Sequence, residues 1–124
     1  MAFEYSSGLN PCPEAAFANS GGEAFQDWYD RGEALANAGD YARALRCFEE
    51  ASIISSLDPE ALLYQAVCLI HLDQPQKALA ITDRLLSLAP NHPQGWLFRG
   101  VVLHRLGHYR AAYTSYDQAQ VYGS

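Results

Sequence analysis

The fold is decided by the stretch WLFRGVVLHRLGHYRAAYTSYDQA, residues 96–119, because its landmark side chains recur upstream at one fixed interval. The landmarks are Trp96, Gly100, Leu103, Ala112, Tyr116 and Ala119. Their counterparts one interval earlier are Leu62, Ala66, Leu69, Ala78, Thr82 and Leu85, and one interval before those stand Trp28, Gly32, Leu35, Ala44, Phe48 and Ala51. A fixed period of about 34 residues predicts an array of supersecondary units that bury their apolar faces by stacking on one another.

Each unit is predicted to be a pair of antiparallel helices. Each unit contains two sets of three landmark residues, separated by a turn. Within a set the residues stand at i, i+4 and i+7, the spacing of residues on one face of a helix. In the first unit Gly32 and Ala44 are small where the two backbones come close, whereas Trp28 and Phe48 fill the wider gap. The pattern therefore predicts a helical hairpin that is repeated three times.

Capping residues and prolines set the predicted starts of the helices. Asp40, Asp58 and His92 are placed as N-caps, and Pro59 and Pro93 occupy the first helical position after two of them. The six predicted helices are 23–38, 41–55, 59–72, 75–88, 93–106 and 109–121. No strand pattern competes, so the fold class is all-α.

The segment 1–24 differs from the rest, because it is rich in glycine, proline and serine and keeps no helical period. We predict an irregular N-terminal arm there, and either a flexible or a docked state is open. The repeat domain is predicted over 25–124, with units 25–58, 59–92 and 93–124.

Composition excludes several partners. The formal net charge is −6, from 14 acidic and 8 basic residues, so no overall basic field recruits nucleic acid or an anionic membrane. The first residues lack the pattern of a secretory signal, and no apolar run approaches about 20 residues. We expect a cytoplasmic protein without membrane insertion.

Cys12, Cys47 and Cys68 are odd in number and widely spaced, which favours reduced thiols.

Catalytic and metal patterns are missing from the sequence. There is no Ser-His-Asp arrangement, phosphate-binding glycine loop or carboxylate pair in an apolar setting. His104 and His108 have the i, i+4 spacing of a metal pair, but Gly107 lies between them and no third ligand is near. We expect no enzyme activity, no cofactor and no metal.

With these positions identified, the sequence resembles the tetratricopeptide repeat, whose 34-residue pattern combines Trp, Leu-Gly, Tyr, Ala, Phe and Pro. The first unit carries it in Trp28, Gly32, Ala44, Phe48 and Ala51, the second in Ala66, Leu69, Ala78 and Pro90, and the third in Trp96, Gly100, Leu103, Gly107, Tyr109, Ala112, Tyr116 and Ala119. The resemblance covers 25–124 and implies a right-handed α-solenoid.

Three residues depart from the family pattern, because the family usually has Leu at their positions: Arg31, Gln65 and Arg99. Asp27 offers Arg31 a helical ion pair, whereas Arg99 has no such neighbour, and we expect both arginines to extend their charged ends to water.

The resemblance further implies that the first helix of each hairpin lines a concave surface. Its predicted partner-binding residues are Tyr29, Glu33, Asn37, Leu63, Val67, Ile70, His71, Leu97, Val101, His104 and Arg105. Several are apolar, so we expect an exposed apolar strip in a groove that binds a peptide or an amphipathic helix of another protein. The hypothesis is a non-catalytic interaction scaffold, adaptor or assembly factor.

Relatives that hold chaperone C-terminal tails grip carboxylates with Lys, Arg and Asn on this face. Here that face offers Tyr29, Glu33, Val67, Gln94 and Phe98. We therefore expect no tight binding of an acidic chaperone tail.

The alternative hypothesis is self-association. The last helix lacks the capping helix with which arrays of this family usually end, and terminal repeats need a polar outer face. The predicted contact residues of a homodimer or larger assembly are Tyr113, Tyr116, Val121 and Tyr122. The ends also differ in charge, since unit 25–58 has seven acids and three bases whereas unit 93–124 has one acid and three bases. This difference favours head-to-tail contacts, or an acidic partner residue held by His104 and Arg105.

Overall fold

The computed structural model describes residues 21–124 and consists there of six α-helices. They are α1 Gly21–Asn37, α2 Tyr41–Ile54, α3 Pro59–His71, α4 Pro75–Leu88, α5 Pro93–Arg105 and α6 Tyr109–Gly123. All six were predicted, and the bounds agree within two residues. The predicted arm, 1–24, lies outside the described residues apart from the first turn of α1.

Side-chain caps and prolines begin the helices as predicted. Asp58 accepts hydrogen bonds from the backbone N–H of Glu60 at 2.8 Å and of Ala61 at 3.3 Å. Asp40 accepts from the N–H of Arg43 at 3.3 Å, and the Nδ1 atom of His92 accepts from the N–H of Gly95 at 3.0 Å. These bonds satisfy donors that have no partner within the helix. The helix α2 and the second and third units therefore begin at fixed residues.

The turn inside each hairpin places one residue in the left-handed region. Gly39 and Gly107 have φ values of 85° and 83°, and Asp73 holds the equivalent place in the second hairpin with φ 60°. Glycine adopts this conformation without a steric cost, whereas aspartate does not. The three turns thus have one geometry but different sequences.

Each helix packs on the next along the chain, and α3 also contacts α5. The first helices of the hairpins therefore lie side by side in one layer, with α2, α4 and α6 in the other. The buried core runs between the layers and includes Phe48, Leu62, Leu85 and Val102. Neighbouring units contact each other along the whole array, as expected for a solenoid.

Each hairpin packs a small residue of its first helix against a side chain of its second helix, whereas the sequence pattern had paired Gly32 with Ala44 and Trp28 with Phe48. A β-carbon on Gly32 would lie 2.8 Å from the Phe48 ring, and one on Gly100 would overlap Tyr116. In the second hairpin Ala66 takes the small position, and the residue facing it is the smaller Thr82, which is fully buried. The larger residue at the small position of the second hairpin therefore faces a smaller residue on the second helix.

Candidate functional site

The inner surface is formed by the first helix of each hairpin, α1, α3 and α5. The rings of Tyr29 on α1 and Tyr64 on α3 meet edge to face at 5.6 Å, and α3 contacts α5 directly. Partly exposed apolar side chains on this surface are Tyr29, Tyr64, Val67, Phe98 and Val101, and Leu97 is 43% exposed. This set defines the concave face.

Two residues predicted to lie on this face are buried instead. Leu63 and Ile70 are only 3% and 7% exposed. The helix α3 has a neighbour on each side, and Phe98 packs against the cluster that contains Leu63. Val101 packs in the same way against the cluster that contains Ile70. The continuous apolar strip expected from the sequence is therefore interrupted in the middle unit, where both side chains belong to the core.

An aromatic cluster lies at the α1 end of the concave face. The ring of Tyr29 contacts Phe48 at 5.7 Å and Tyr64 at 5.6 Å, and Phe48 stacks on Tyr64 at 5.2 Å. Burial raises the pKa of Tyr29 well above its ordinary value, and the nearby Tyr64 hydroxyl and the carboxylates of Glu33 and Glu60 raise it further. This end of the face is therefore aromatic and acidic.

Glu60 also connects two units. Its Oε2 atom lies 2.7 Å from Nε2 of His92. Because Nδ1 of His92 accepts the N–H of Gly95, Nε2 carries the proton and donates to the carboxylate. The imidazole therefore caps α5 and holds α3 to α5 at the same time.

Arg105 at the opposite end of the face has partners within the chain. Its guanidinium donates to the carbonyl oxygen of Ile70 at 3.1 Å and lies 3.6 Å from Asp73. The ring of His104 meets the edges of Tyr109 and Tyr113 at 4.9 and 6.4 Å. Both residues are exposed as predicted, but part of their hydrogen-bonding and stacking capacity is used internally.

The remaining predicted groove residues lie toward the ends of the first helices. Asn37 and His71 are exposed, and the His71 ring stacks on Tyr41 with centroids 4.1 Å apart and planes 3° apart. Tyr64 is a concave-face residue that the sequence analysis did not select. The signal for it was present in Phe98, its counterpart one repeat later.

Arg99, which has no acidic partner within its own helix, has partners on other helices. Its Nε donates to Asp83 at 2.8 Å, and another guanidinium nitrogen donates to the Ser115 hydroxyl at 2.9 Å. The guanidinium also lies over the Trp96 ring at 5.9 Å. Asp83 lies on the preceding hairpin, where a search within the same helix could not find it. Arg99 therefore joins the second and third units instead of extending its charged end to water.

Gln65 has the equivalent role one unit earlier. It is 4% exposed, and its amide donates to the Phe48 carbonyl at 3.2 Å and to the Ser52 hydroxyl at 2.7 Å. Buried polar groups are tolerated when they are hydrogen-bonded in this way. The polar departures at positions 65 and 99 are thus contacts between units.

The four residues predicted to form an oligomer contact have different environments. Tyr116 packs against Gly100 inside its own hairpin. Val121 and Tyr122 are 63% and 39% exposed, but their counterparts in the earlier units are exposed as well, so their exposure is not specific to the end of the array. Only Tyr113, 58% exposed, stands at a position that is half-buried in the other two units.

A concave layer of first helices backed by a convex layer of second helices defines a helical-hairpin repeat protein. The family model of the tetratricopeptide repeat matches residues 29–93, more than half of the chain, and the chain belongs to that family. No curated protein sequence matches it. Within residues 21–124, none of the helices has both the length and the apolar character needed to cross a bilayer.

Solved structures share the fold at low identity. The TPR domain of Arabidopsis OM64 is 18% identical, with a TM-score of 0.81 over 83% of this chain and 85% of that one. The second TPR of Spaghetti (RPAP3), bound to the HSP90 peptide SRMEEVD, is 16% identical, with a TM-score of 0.76 over 79% of this chain and 91% of that one. PcrH in complex with the chaperone binding region of PopB is 18% identical, with a TM-score of 0.78 over 81% of each chain. Repeat domains of this fold thus bind segments of other proteins.

Proposed function

We propose that this chain is a non-catalytic scaffold whose concave face binds an extended or helical segment of a partner protein. The observation that supports this proposal is a set of partly exposed aromatic and aliphatic side chains on the inner layer, with acidic groups beside it. Leu97 at 43% exposure contributes the most accessible aliphatic contact. Apolar surface bordered by polar groups is typical of a recognition site.

The polarity of the face indicates the chemistry of the segment. Tyr29 and Tyr64 lie with Glu33 at the α1 end, and Glu60, which also accepts a hydrogen bond from His92, lies beside them. Carboxylates beside aromatic rings attract a cation, because both the carboxylate charge and the ring face favour it. We therefore propose a ligand that places a Lys or Arg over this end and apolar residues over Val101 and Leu97.

A peptide with an acidic C-terminal tail does not fit this face. Glu33 and Glu60 repel a carboxylate, and the aromatic rings offer it no positive partner. Arg105, the basic group at the other end, already contacts Ile70 and Asp73. Binding of SRMEEVD, the peptide held by the RPAP3 repeat domain, is therefore not expected here.

The test uses a photo-cross-linking amino acid at position 97 of the full chain. Mass spectrometry should identify a partner segment with the proposed composition, and a synthetic peptide of that segment should bind in calorimetry. Leu97→Glu should weaken its binding at least tenfold. Ile53→Glu is the matched control, because Ile53 is 74% exposed on α2, in the outer layer, and should leave binding unchanged. Equal losses in both variants, or tight binding of SRMEEVD, would contradict the proposal.

A further inference from the structure

The outer edge of the last hairpin differs from the edges of the first two. Tyr109 and Tyr113 on α6 are 55% and 58% exposed. Their counterparts are Tyr41 and Leu45 on α2 and Pro75 and Leu79 on α4, all of which are half-buried, because the next hairpin lies against α2 and against α4. We call Tyr109, Tyr113, Asp117 and Gln120 the α6 edge.

The opposite end of the array shows the complementary difference. Asp27, Ala34 and Ala38 on α1 are exposed. The counterparts of Ala34 are Cys68 and Val102, and both are buried against the preceding hairpin. We call Asp27, Arg31, Ala34 and Ala38 the α1 face. It holds the positions through which α3 and α5 dock on the unit before them.

The ion pair of Arg99 with Asp83 joins the second and third hairpins, and the residues equivalent to these two lie on the α1 face and the α6 edge. Arg99 donates to Asp83 at 2.8 Å across that junction. The counterpart of Asp83 one repeat later is Asp117 on the α6 edge, and the counterpart of Arg99 two repeats earlier is Arg31 on the α1 face. Arg31 lies over Trp28 at 5.0 Å, as Arg99 lies over Trp96. Arg99 shows that this stacking, which uses the ring-facing side of the guanidinium, is compatible with an ion pair at its edge.

Side-chain size and hydrogen bonding are matched in the same way. Leu79 packs against the cluster that contains Val102, and the corresponding pair at the two ends is a large Tyr113 with a small Ala34. Leu86 lies 3.1 Å from the β-carbon position of Gly95. Its counterpart is Gln120, whose amide is able to donate to Asp27, the counterpart of Gly95.

The two ends also carry opposite charge. Unit 25–58 has seven acids and three bases, whereas unit 93–124 has one acid and three bases. Long-range attraction therefore favours contact between unlike ends.

From these correspondences we propose that the α1 face of a second copy docks on the α6 edge, so that the solenoid continues from one chain into the next. The contact joins two different surfaces, and each copy keeps one of each. Such a heterologous contact produces open chains of several copies and not a closed dimer. Leu97 is the counterpart of Leu63, which the following hairpin covers, so docking of a second copy also shields Leu97 from a partner segment.

Sedimentation equilibrium of the full chain at concentrations up to about 1 mM tests the proposal. The average mass should rise continuously above the 13.7 kDa of one chain. It should fall back toward one chain in high salt, because salt screens the attraction between the oppositely charged ends. A mass of one chain throughout would overturn the proposal and leave a different protein as the occupant of the α6 edge. A mass that stops at two chains would overturn it as well.

Charge reversal gives a sharper test. Asp117→Arg and Arg31→Asp should each reduce self-association at least tenfold, because like charges then meet at every contact. A mixture of the two variants should associate again, since each end of one variant is complementary to the opposite end of the other. Tyr113→Glu should also abolish association, and circular dichroism should show native helicity in each variant. Glu49→Arg places the same charge change at the position equivalent to Asp117 on α2, where it alters only the long-range attraction, and should weaken association far less than Asp117→Arg. Failure of the mixture to associate would overturn the proposed pairing.

Discussion

Gly100 and Tyr116 lie so close across the third hairpin that a β-carbon on residue 100 would overlap the tyrosine ring. The first hairpin has the same relationship between Gly32 and Phe48. The second has Ala66, and there the aromatic ring is replaced by threonine. The steric limit at this position is therefore shared between two side chains on facing helices, and neither residue determines it alone.

We predict that Gly100→Ala destabilises the protein by about 1–3 kcal/mol, the usual cost of overpacking a core. The sign is informative, because Gly→Ala in a helix otherwise stabilises by about 0.5–1 kcal/mol. The double variant Gly100→Ala/Tyr116→Thr reproduces the second hairpin and should show a favourable coupling energy in urea unfolding. Additive effects of the two changes would contradict the shared limit.

Asp73 is predicted to be replaceable by glycine with a gain in stability. Its φ of 60° costs a non-glycine residue about 1 kcal/mol. The ion pair with Arg105 is 3.6 Å long, and the Asp73 side chain is 87% exposed, so its loss has little effect. Asp73→Gly should therefore raise the urea midpoint. Gly107→Ala, at the equivalent turn with φ 83°, is the control and should lower it.

Restoring the family's usual leucine at position 99 should destabilise this protein. Arg99→Leu leaves the buried Ser115 hydroxyl without its donor at 2.9 Å, at a cost of about 1–3 kcal/mol. Asp83→Ala should cost less than about 1 kcal/mol, since that carboxylate is 53% exposed. Adding Ser115→Ala to Arg99→Leu should recover part of the loss. Urea unfolding of the wild type, the two single variants and the Arg99→Leu/Ser115→Ala double variant measures these differences. Equal costs for Arg99→Leu and Asp83→Ala would show that the bond to Ser115 does not contribute to stability.

Cys68 makes stability depend on alkaline pH. Burial raises the pKa of its thiol to about 11, and the nearby Cys47 thiol adds to the effect. The folded state therefore keeps a proton that the unfolded state loses near the ordinary thiol pKa of 9.0. Stability from this group is fully present below about pH 9 and decreases as the pH rises toward 11. Thermal unfolding should show a steeper alkaline decrease in the wild type than in Cys68→Ala. At pH 7 a thiol reagent should label Cys68 only after urea unfolding.

The helices and their ends could be predicted from the sequence, because they depend on the repeat period and on capping residues. The six helices follow from the recurrence of small and large residues, and their starts follow from Asp40, Asp58 and His92. These signals act within one hairpin, so they can be read locally. The positions of the small and large residues were also read from the period, but the contact of Gly32 with Phe48 was not, because the pattern paired Gly32 with Ala44.

The predictions that failed concern contacts between hairpins. Leu63 and Tyr29 share one repeat position, yet Leu63 is buried, because the central unit has neighbours on both sides. The partner of Arg99 lies on another hairpin, beyond the reach of an i, i+4 rule. Whether a side chain is exposed, and which residue it pairs with, depends on whether its unit stands at an end or in the middle of the array. A repeat pattern treats all units alike and does not carry this information.

The matched pairs inside the hairpins also bear on how such a chain changes through evolution. Glycine with an aromatic residue, and alanine with threonine, are each contained within one repeat. Recombination that exchanges a whole repeat therefore carries both members of the pair together. A point mutation at Gly32 or Gly100 separates them and must await a second change on the facing helix. Exchange of a whole repeat does separate residues that meet at the junctions, because Arg99 and Asp83 come from different repeats.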